Sequence, residues 1–155
     1  MPPPGQRIEP LNADDLARIA KQRAMIERYL GSDAENFRKY QFVAGKLGLL
    51  RALLEQQVFK STQTYELQCM GIVLGDALVQ HCGTEWRVAE DEHGRDPCVQ
   101  VPGTTIILFP LTMISKRVER SEQVDVFALF NQSAAKIAEL KHIADPEADQ
   151  KSGNG

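Results

Sequence analysis

An acidic segment around a histidine and a glycine has the greatest density of side chains that could do chemistry. Between Glu85 and Asp96, five acidic residues stand against two basic ones, so this segment alone matches the net charge of −3 of the whole chain. Its candidate ligand-binding residues are Glu90, Asp91, Glu92, Arg95 and Asp96. Carboxylates suit Mg²⁺ or Ca²⁺, but the ligand order of an EF-hand is absent, so we predict no bound metal. The pattern favours a solvated hairpin tip in which Arg95 pairs with a neighbouring carboxylate.

Asp76 is the one acidic residue inside an apolar helical stretch, between Gly75 and Ala77. General acid–base catalysis by a carboxyl pair would require a cleft that raises one of the two pKa values. We predict that Asp76 is instead a partly buried centre of structural hydrogen bonds. The alternative is an enzyme or small-ligand site in which Asp76 and the acidic segment, residues 90–96, line one pocket.

The cysteines and histidines are the other possible nucleophiles and metal ligands. They are Cys69, Cys82, Cys98, His81, His93 and His142. His81 and Cys82 are adjacent, so on a helix their side chains point about 100° apart and cannot form a catalytic dyad. The paired spacing typical of zinc sites is absent, and so are the glycine-rich loops that bind phosphate. We predict no catalytic residue, no cofactor and reduced thiols.

Lys116 and Arg117 are the centre of a small basic group that could bind a partner. Glu119 and Glu122 are interleaved with them, a pattern typical of a solvated helix with salt bridges along its surface. The net charge of −3 and a sequence pI near 5.6 also differ from the basic character of nucleic-acid-binding domains. We therefore predict no nucleic-acid partner.

The first half of the chain has the spacing of apolar residues that predicts helices. Asn12 is suited to cap a first helix, whose apolar stripe begins at Leu16 and which Gly31 ends. Ser32 and Glu35 have the spacing of a capping box for a second helix, and two glycines in the middle of that helix could divide it in two.

A third helix is predicted from Thr62 or Thr64 to His81. Gly71 and Gly75 lie four residues apart, and therefore on one face of it. A face without side chains lets another element approach closely, so we predict that a neighbouring element crosses the helix at these two glycines.

The pattern changes to that of strands after this helix. Short strands are predicted at residues 86–90, 98–101 and 104–109. Trp86 opens the first of them, and Gly94 provides the turn that follows it. Pro110 ends the third strand and opens a short helix, and Asp125 caps a last one. The predicted fold class is α+β, with N-terminal helices, a small three-stranded antiparallel sheet and C-terminal helices.

A chain of 155 residues with this composition is predicted to form one domain. Residues 1–10 are proline-rich and predicted to be a flexible leader, residues 11–144 to be the domain, and residues 145–155 to be a disordered tail. The most apolar run, residues 104–114, is far shorter than the roughly 20 residues of a membrane span. No secretion signal opens the sequence, so a cytoplasmic location is predicted.

Three stretches of the sequence together resemble a family of bacterial domains of unknown function, DUF3806. The stretches are residues 65–76, 86–97 and 109–119, of which the most specific parts are Phe109-Pro110 and Lys116-Arg117-Val118-Glu119. The resemblance covers residues 64–130 and implies a bacterial source and an α+β domain. It implies no catalytic residues.

These observations favour a non-enzymatic, cytosolic protein-interaction module that binds a basic partner through the acidic hairpin. A hairpin tip projects charge away from the body of a protein, where it can steer a positively charged partner. Small acidic proteins that neutralise basic toxins bind in this way, so an immunity-type role is expected by analogy alone. The oligomeric state stays open.

Overall fold

The computed structural model describes residues 5–144, whose helices and single antiparallel sheet confirm the predicted α+β class. In chain order the elements are β1 (Arg7–Glu9), α1 (Ala13–Glu27), α2 (Ala34–Tyr40), α3 (Val43–Glu55), α4 (Thr64–Cys82), β2 (Glu85–Asp91), β3 (Gly94–Gln100), β4 (Ile107–Leu108), α5 (Pro110–Glu119) and α6 (Val126–Ala144). A short 3₁₀ helix, Arg28–Leu30, follows α1. The predicted tail, residues 145–155, and the first four residues of the predicted leader lie outside the described residues.

Helix α4 is the centre of the hydrophobic core. It begins at Thr64, one of the two predicted starts, and ends at Cys82, one residue beyond the predicted end. Leu67, Leu74 and Leu78 are all buried, and α1, α3, α5 and α6 pack around the helix. A helix that is apolar on nearly every side has to be enclosed by other elements, which explains its central place.

Helix α1 begins at its predicted cap, because the Asn12 side chain accepts a hydrogen bond from the Asp15 N–H and Asp15 accepts one from the Asn12 N–H. The predicted apolar stripe is wrong at its first residue, since Leu16 is exposed. The buried face begins one residue earlier, at Asp15, and also contains Gln22. A polar contact with the sheet, described below, accounts for the burial of Asp15.

The second predicted helix is two helices, which meet at Gln41 and Phe42. The capping box predicted from Ser32 and Glu35 is wrong, because the side chain of Asp33 accepts the Glu35 N–H instead. The corner depends on Gly45, since a Cβ atom there would overlap the backbone carbonyl of Lys39. Glycine therefore allows the end of α2 to lie directly against the first turn of α3.

The sheet has four strands in the order β1-β2-β3-β4, one more than predicted. The extra strand, β1, comes from the predicted leader: Arg7 pairs with Glu90, and Glu9 pairs with Val88. A three-residue strand beside prolines has no local sequence signal, because its pairing is made entirely with β2, about 80 residues later.

The third predicted strand, residues 104–109, is shorter than expected, since only Ile107–Leu108 pairs with β3. Side chains hold the preceding residues in a loop. The Thr104 hydroxyl donates to the Val101 carbonyl and accepts from the Ile106 N–H, while the Gln100 amide donates to the Thr104 carbonyl. These local hydrogen bonds replace the ladder that a longer strand would form.

Candidate functional site

Arg95, on β3, joins the hairpin to β1 and to the first turn of α1. Its Nη1 lies 2.9 Å from Glu9 Oε2 and 3.0 Å from Glu90 Oε2, and its Nη2 lies 2.7 Å from Asp15 Oδ2. Arg7 also pairs with Glu90, at 3.1 Å. The predicted pairing of Arg95 with a neighbouring carboxylate is therefore present, but it is part of a network across four elements, β1, α1, β2 and β3.

The charges of this network change the acidity of its members. The hydrogen bond from Arg95 lowers the pKa of the Asp15 carboxyl against the opposing effect of burial, with further contributions from the Asn12 N–H and the charges of Arg95 and Arg18. The same guanidinium lowers the pKa of Glu9. Both carboxyls are thus held in the charged form, bonded to Arg95 in a structural role.

We expect Asp15→Asn to be less stable than the parent at neutral pH, and the difference to shrink in acid. Because the pKa of Asp15 is lower in the folded chain, its charged form stabilises the fold above the ordinary aspartate value near 4, and this contribution is lost as the pH falls below about 4 through the folded-state pKa. Urea unfolding at a series of pH values measures the difference. Asp14→Asn is the matched control, since Asp14 is exposed in the same turn and forms no ion pair within residues 5–144. A difference for Asp15→Asn that is constant with pH would contradict this reasoning.

The alternation of the strands divides the acidic hairpin into two faces. Glu90 lies opposite Arg95 on the inner face, whereas Asp91, next to Glu90, and Asp96, opposite Ala89, lie on the outer face. Glu92 is in the two-residue turn, where its Oε1 lies 3.4 Å from His93 Nε2. In the part of the chain that the structure describes, no lysine or arginine pairs with these three carboxylates. The hairpin tip therefore has three carboxylates without a lysine or arginine partner there: Glu92 and Asp96 are exposed, and the half-buried Asp91 accepts the His93 N–H.

Asp76 accepts three hydrogen bonds from two other elements. Arg23, on α1, donates from Nε at 2.6 Å and from Nη2 at 2.9 Å, and the indole Nε1 of Trp86, on β2, donates at 2.9 Å. Asp76 thus ties α1 and the start of β2 to α4. Glu90, the first carboxylate of residues 90–96, is four residues beyond Trp86 on β2, roughly 13 Å along the strand. Asp76 bonds to Arg23 and Trp86, whereas Glu90 bonds to Arg95 and Arg7, so these two carboxylates have different partners.

The two glycines of α4 lie where α5 begins. A Cβ atom on Gly71 would be 2.5 Å from both the Leu111 Cα and the Pro110 carbonyl oxygen, and one on Gly75 would overlap the Trp86 ring. Pro110 occupies the first turn of α5, where its missing N–H is not needed. The structure thus places Trp86 and Pro110 against the glycine face of α4. Gly94, with a φ of 137°, closes the hairpin.

The cysteines and the basic pair of α5 are the remaining candidates. Burial raises the pKa of the Cys98 thiol to about 11 and raises those of Cys69 and Cys82 as well, which is typical of structural rather than nucleophilic cysteines. Lys116 is exposed, whereas Arg117 donates to the Met113 carbonyl of its own helix, at 2.7 Å. Among residues 5–144, no group of three metal-ligating side chains comes together.

No helix in the described part of the chain is long and apolar enough to cross a membrane.

A groove that the sequence does not predict opens where α3 and α5 end and where α4 and α6 begin. We call it the helix-end groove; its volume is about 1290 Å³. Apolar side chains form its floor: Leu54, Phe59, Val118, Val124 and Phe127 are partly exposed there, whereas Leu53, Leu67 and Met70 are buried. Four separate segments contribute these residues. The apolar stripes of the helices were the available signal in the sequence. A stripe does not show which of its residues the neighbouring helices leave uncovered.

Charged residues of both signs border the helix-end groove: Arg51, Glu55 and the exposed Lys60 come from α3 and the connection after it, whereas Glu122 and Asp125 come from the connection between α5 and α6. Arg51 lies over the Phe127 ring, 5.0 Å from its centroid, and is 3.9 Å from Glu55. On the side formed by the α5–α6 connection, Glu122 and Asp125 have no basic partner within residues 5–144. Asp125 Oδ1 accepts the Ala128 N–H, as expected for the cap of α6. That side of the groove therefore has two unpaired negative charges.

Comparison with known proteins gives a family and a fold. The model of the family described as "Domain of unknown function (DUF3806)" matches residues 46–130, a segment that contains every residue lining the helix-end groove. A crystal structure of a protein from Bacteroides thetaiotaomicron VPI-5482 is similar, with a TM-score of 0.67 and 14% sequence identity. The match covers 83% of this chain and 47% of that one, so the chain spans about half of the similar structure. No curated protein matches. The family match includes more than half of the 155 residues and confirms the resemblance found in the sequence: the chain belongs to the DUF3806 family.

Proposed function

We propose that this domain is a non-enzymatic protein-interaction module whose helix-end groove binds a segment of a basic partner protein. The observation that carries the proposal is the groove itself, which combines a volume of about 1290 Å³ with a floor on which leucine, valine and phenylalanine side chains are partly exposed. Concave apolar surfaces with a few polar groups at the rim are the usual form of a binding site.

The absence of a catalytic role is supported by how the candidate groups are used. Asp76 is bonded to Arg23 and Trp86, and Arg95 is bonded to three carboxylates, so each of these groups supports the fold. Neither the family nor the similar structure is described by an activity. No observation favours the alternative of an enzyme built on Asp76 and residues 90–96.

The preference for a basic partner is supported by the negative charges that have no partner of their own. Glu122 and Asp125 lie on the groove, while Asp91, Glu92 and Asp96 lie at the hairpin tip. Charges at a rim mainly raise the rate of encounter with a partner of opposite sign, whereas apolar contacts supply most of the affinity. Small acidic proteins that neutralise basic toxins bind basic partners in this way, so an immunity-type role is proposed by analogy alone.

The proposal is tested with two end-capped hexapeptides in which leucine alternates with lysine or with glutamate. We expect the lysine peptide to shift the backbone amide resonances of groove residues in ¹⁵N-labelled protein, and to bind roughly tenfold more tightly than the glutamate peptide at low salt. The difference should narrow as salt screens the charges. If neither peptide shifts groove resonances at millimolar concentration, the groove is not the binding surface.

Two charge variants separate the contributions of the rim and the hairpin. Glu122→Gln with Asp125→Asn should weaken binding of the lysine peptide, and asparagine preserves the helix cap. Asp91→Asn, Glu92→Gln and Asp96→Asn together should slow association without changing the bound state. Glu90 is left in place because it pairs with Arg95 and Arg7. Glu35→Gln, on α2 and outside the groove, is the matched control.

A further inference from the structure

Two residues of the helix-end groove have an unusual backbone conformation. Gln57 has a φ of 49° and Ser121 a φ of 60°, in the left-handed region that favours glycine. Every other residue of positive φ in residues 5–144 is a glycine: Gly5, Gly31, Gly83, Gly94 and Gly103. The two exceptions both line the groove.

Gln57 and Ser121 occupy equivalent places at two helix ends. After α3, the Val58 N–H donates to the Leu53 carbonyl and the Gln57 N–H to the Leu54 carbonyl, both at 3.1 Å. The same pair of bonds follows α5, where the Glu122 N–H donates to Arg117 at 2.9 Å and the Ser121 N–H to Val118 at 3.0 Å. This is the Schellman motif, whose left-handed residue is usually glycine.

A side chain at such a position strains the backbone, and glycine would remove the strain. The chain does use glycine at the end of α4, where Gly83 is left-handed. Strained backbone conformations that persist tend to lie at binding sites, where the side chain has a use. Gln57 and Ser121 are both exposed on the groove, in positions to contact whatever lies there.

The chemistry of the two side chains indicates what they bind. A glutamine amide both donates and accepts hydrogen bonds, as does a serine hydroxyl, so together they complement the N–H and C=O groups of a peptide backbone. The backbone groups of a helix are bonded to each other, whereas those of an extended peptide are available. We infer that Gln57 and Ser121 hydrogen-bond to the backbone of an extended segment of the partner protein, whose apolar side chains fill the floor.

Charge indicates which extended segment fits, and this inference rests on the proposed function of the groove. Glu122 and Asp125 select a segment with a basic residue on their side. The chain's own residues 145–155 have the wrong chemistry, with three acidic residues and no large apolar side chain. They also begin after the 19 residues of α6, roughly 28 Å of helix away from Asp125.

The test uses the variant Gln57→Gly with Ser121→Gly and the leucine–lysine hexapeptide in two forms, plain and with alternate backbone nitrogens methylated. The parent should bind the plain peptide roughly tenfold more tightly than the methylated one. Methylation removes backbone N–H groups of the peptide, so its hydrogen bonds to Gln57 and Ser121 are lost. The double glycine variant should bind the plain peptide roughly tenfold more weakly than the parent and should not distinguish the two forms. Its Tm should equal or exceed that of the parent, because glycine relieves the strain.

Asparagine variants at the same two positions are the control, since asparagine tolerates the left-handed conformation and its amide can both donate and accept hydrogen bonds. They should retain part of the discrimination between the two peptides. If the glycine variant binds both forms as the parent does while groove resonances still shift, the inference fails and the proposed function stands. If its Tm falls, the two side chains stabilise the helix ends and the inference also fails. If no peptide shifts groove resonances, both fail.

Discussion

Replacing Asp76 with alanine should lower the free energy of unfolding by about 3 kcal/mol, near the lower limit for breaking a buried ion pair. The change leaves the half-buried Arg23 without its partner and the Trp86 indole N–H without an acceptor. Arg23 has 31% of its side chain exposed, so water compensates part of the loss. The measurement is urea unfolding at neutral pH, followed by circular dichroism.

Three further variants show whether the ion pair is the cause. Asp76→Asn keeps an acceptor for Trp86 but loses the charge, so its effect should be smaller than that of alanine. Adding Arg23→Met to Asp76→Ala should recover part of the lost stability, because it removes the unpaired charge. Glu55→Ala, which breaks the exposed pair with Arg51, should change stability by less than about 0.5 kcal/mol. An Asp76→Ala variant as stable as Glu55→Ala would contradict the hub role.

The sequence was informative where structure depends on neighbouring residues. The bounds of α4, the caps Asn12 and Asp125 and the hairpin at Gly94 all follow from local patterns, and each is found in the structure. The acidic character of the hairpin was also evident from composition. Local patterns are reliable here because helix caps and tight turns are formed by residues within a few positions of each other.

The features that were missed depend on residues far apart in the chain. Arg23 and Asp76 are 53 residues apart, and Arg95 and Asp15 are 80 residues apart, so neither pairing has a signal in the sequence. The exposure of Leu16 follows from the second of these pairs, because α1 turns Asp15 toward the sheet. The helix-end groove is harder still to predict, since it is a space left between four segments rather than a property of any one of them.

The left-handed conformations of Gln57 and Ser121 could not be predicted from the sequence either. A glycine after a helical stripe predicts a left-handed end, as Gly83 does for α4, but a glutamine or serine at that position predicts nothing. The groove and these two helix ends are therefore the part of the candidate site that only the structure provides. The acidic hairpin, in contrast, was predicted, although Glu90 and Arg95 turned out to support the fold.

The packing of α5 against α4 should fail when Gly71 is replaced by alanine, at a cost of about 3 kcal/mol or more, at or above the upper end for overpacking. A methyl group at Gly71 would be 2.5 Å from backbone atoms of Pro110 and Leu111, and backbone at the start of a helix cannot rotate away as a side chain can. Helix α5 would have to shift as a unit, which would also disturb its contacts with the core through the buried Ile114.

Gly75→Ala should cost less, because its nearest neighbours are Trp86 ring atoms. Gly48→Ala is the matched control: apart from neighbouring residues of its own helix, no atom lies within 4 Å of the added methyl group, so this change in the middle of α3 should stabilise the chain by about 0.5–1 kcal/mol. Urea unfolding of the three variants measures the order, and Gly71→Ala as stable as Gly48→Ala would contradict the close crossing of the two helices.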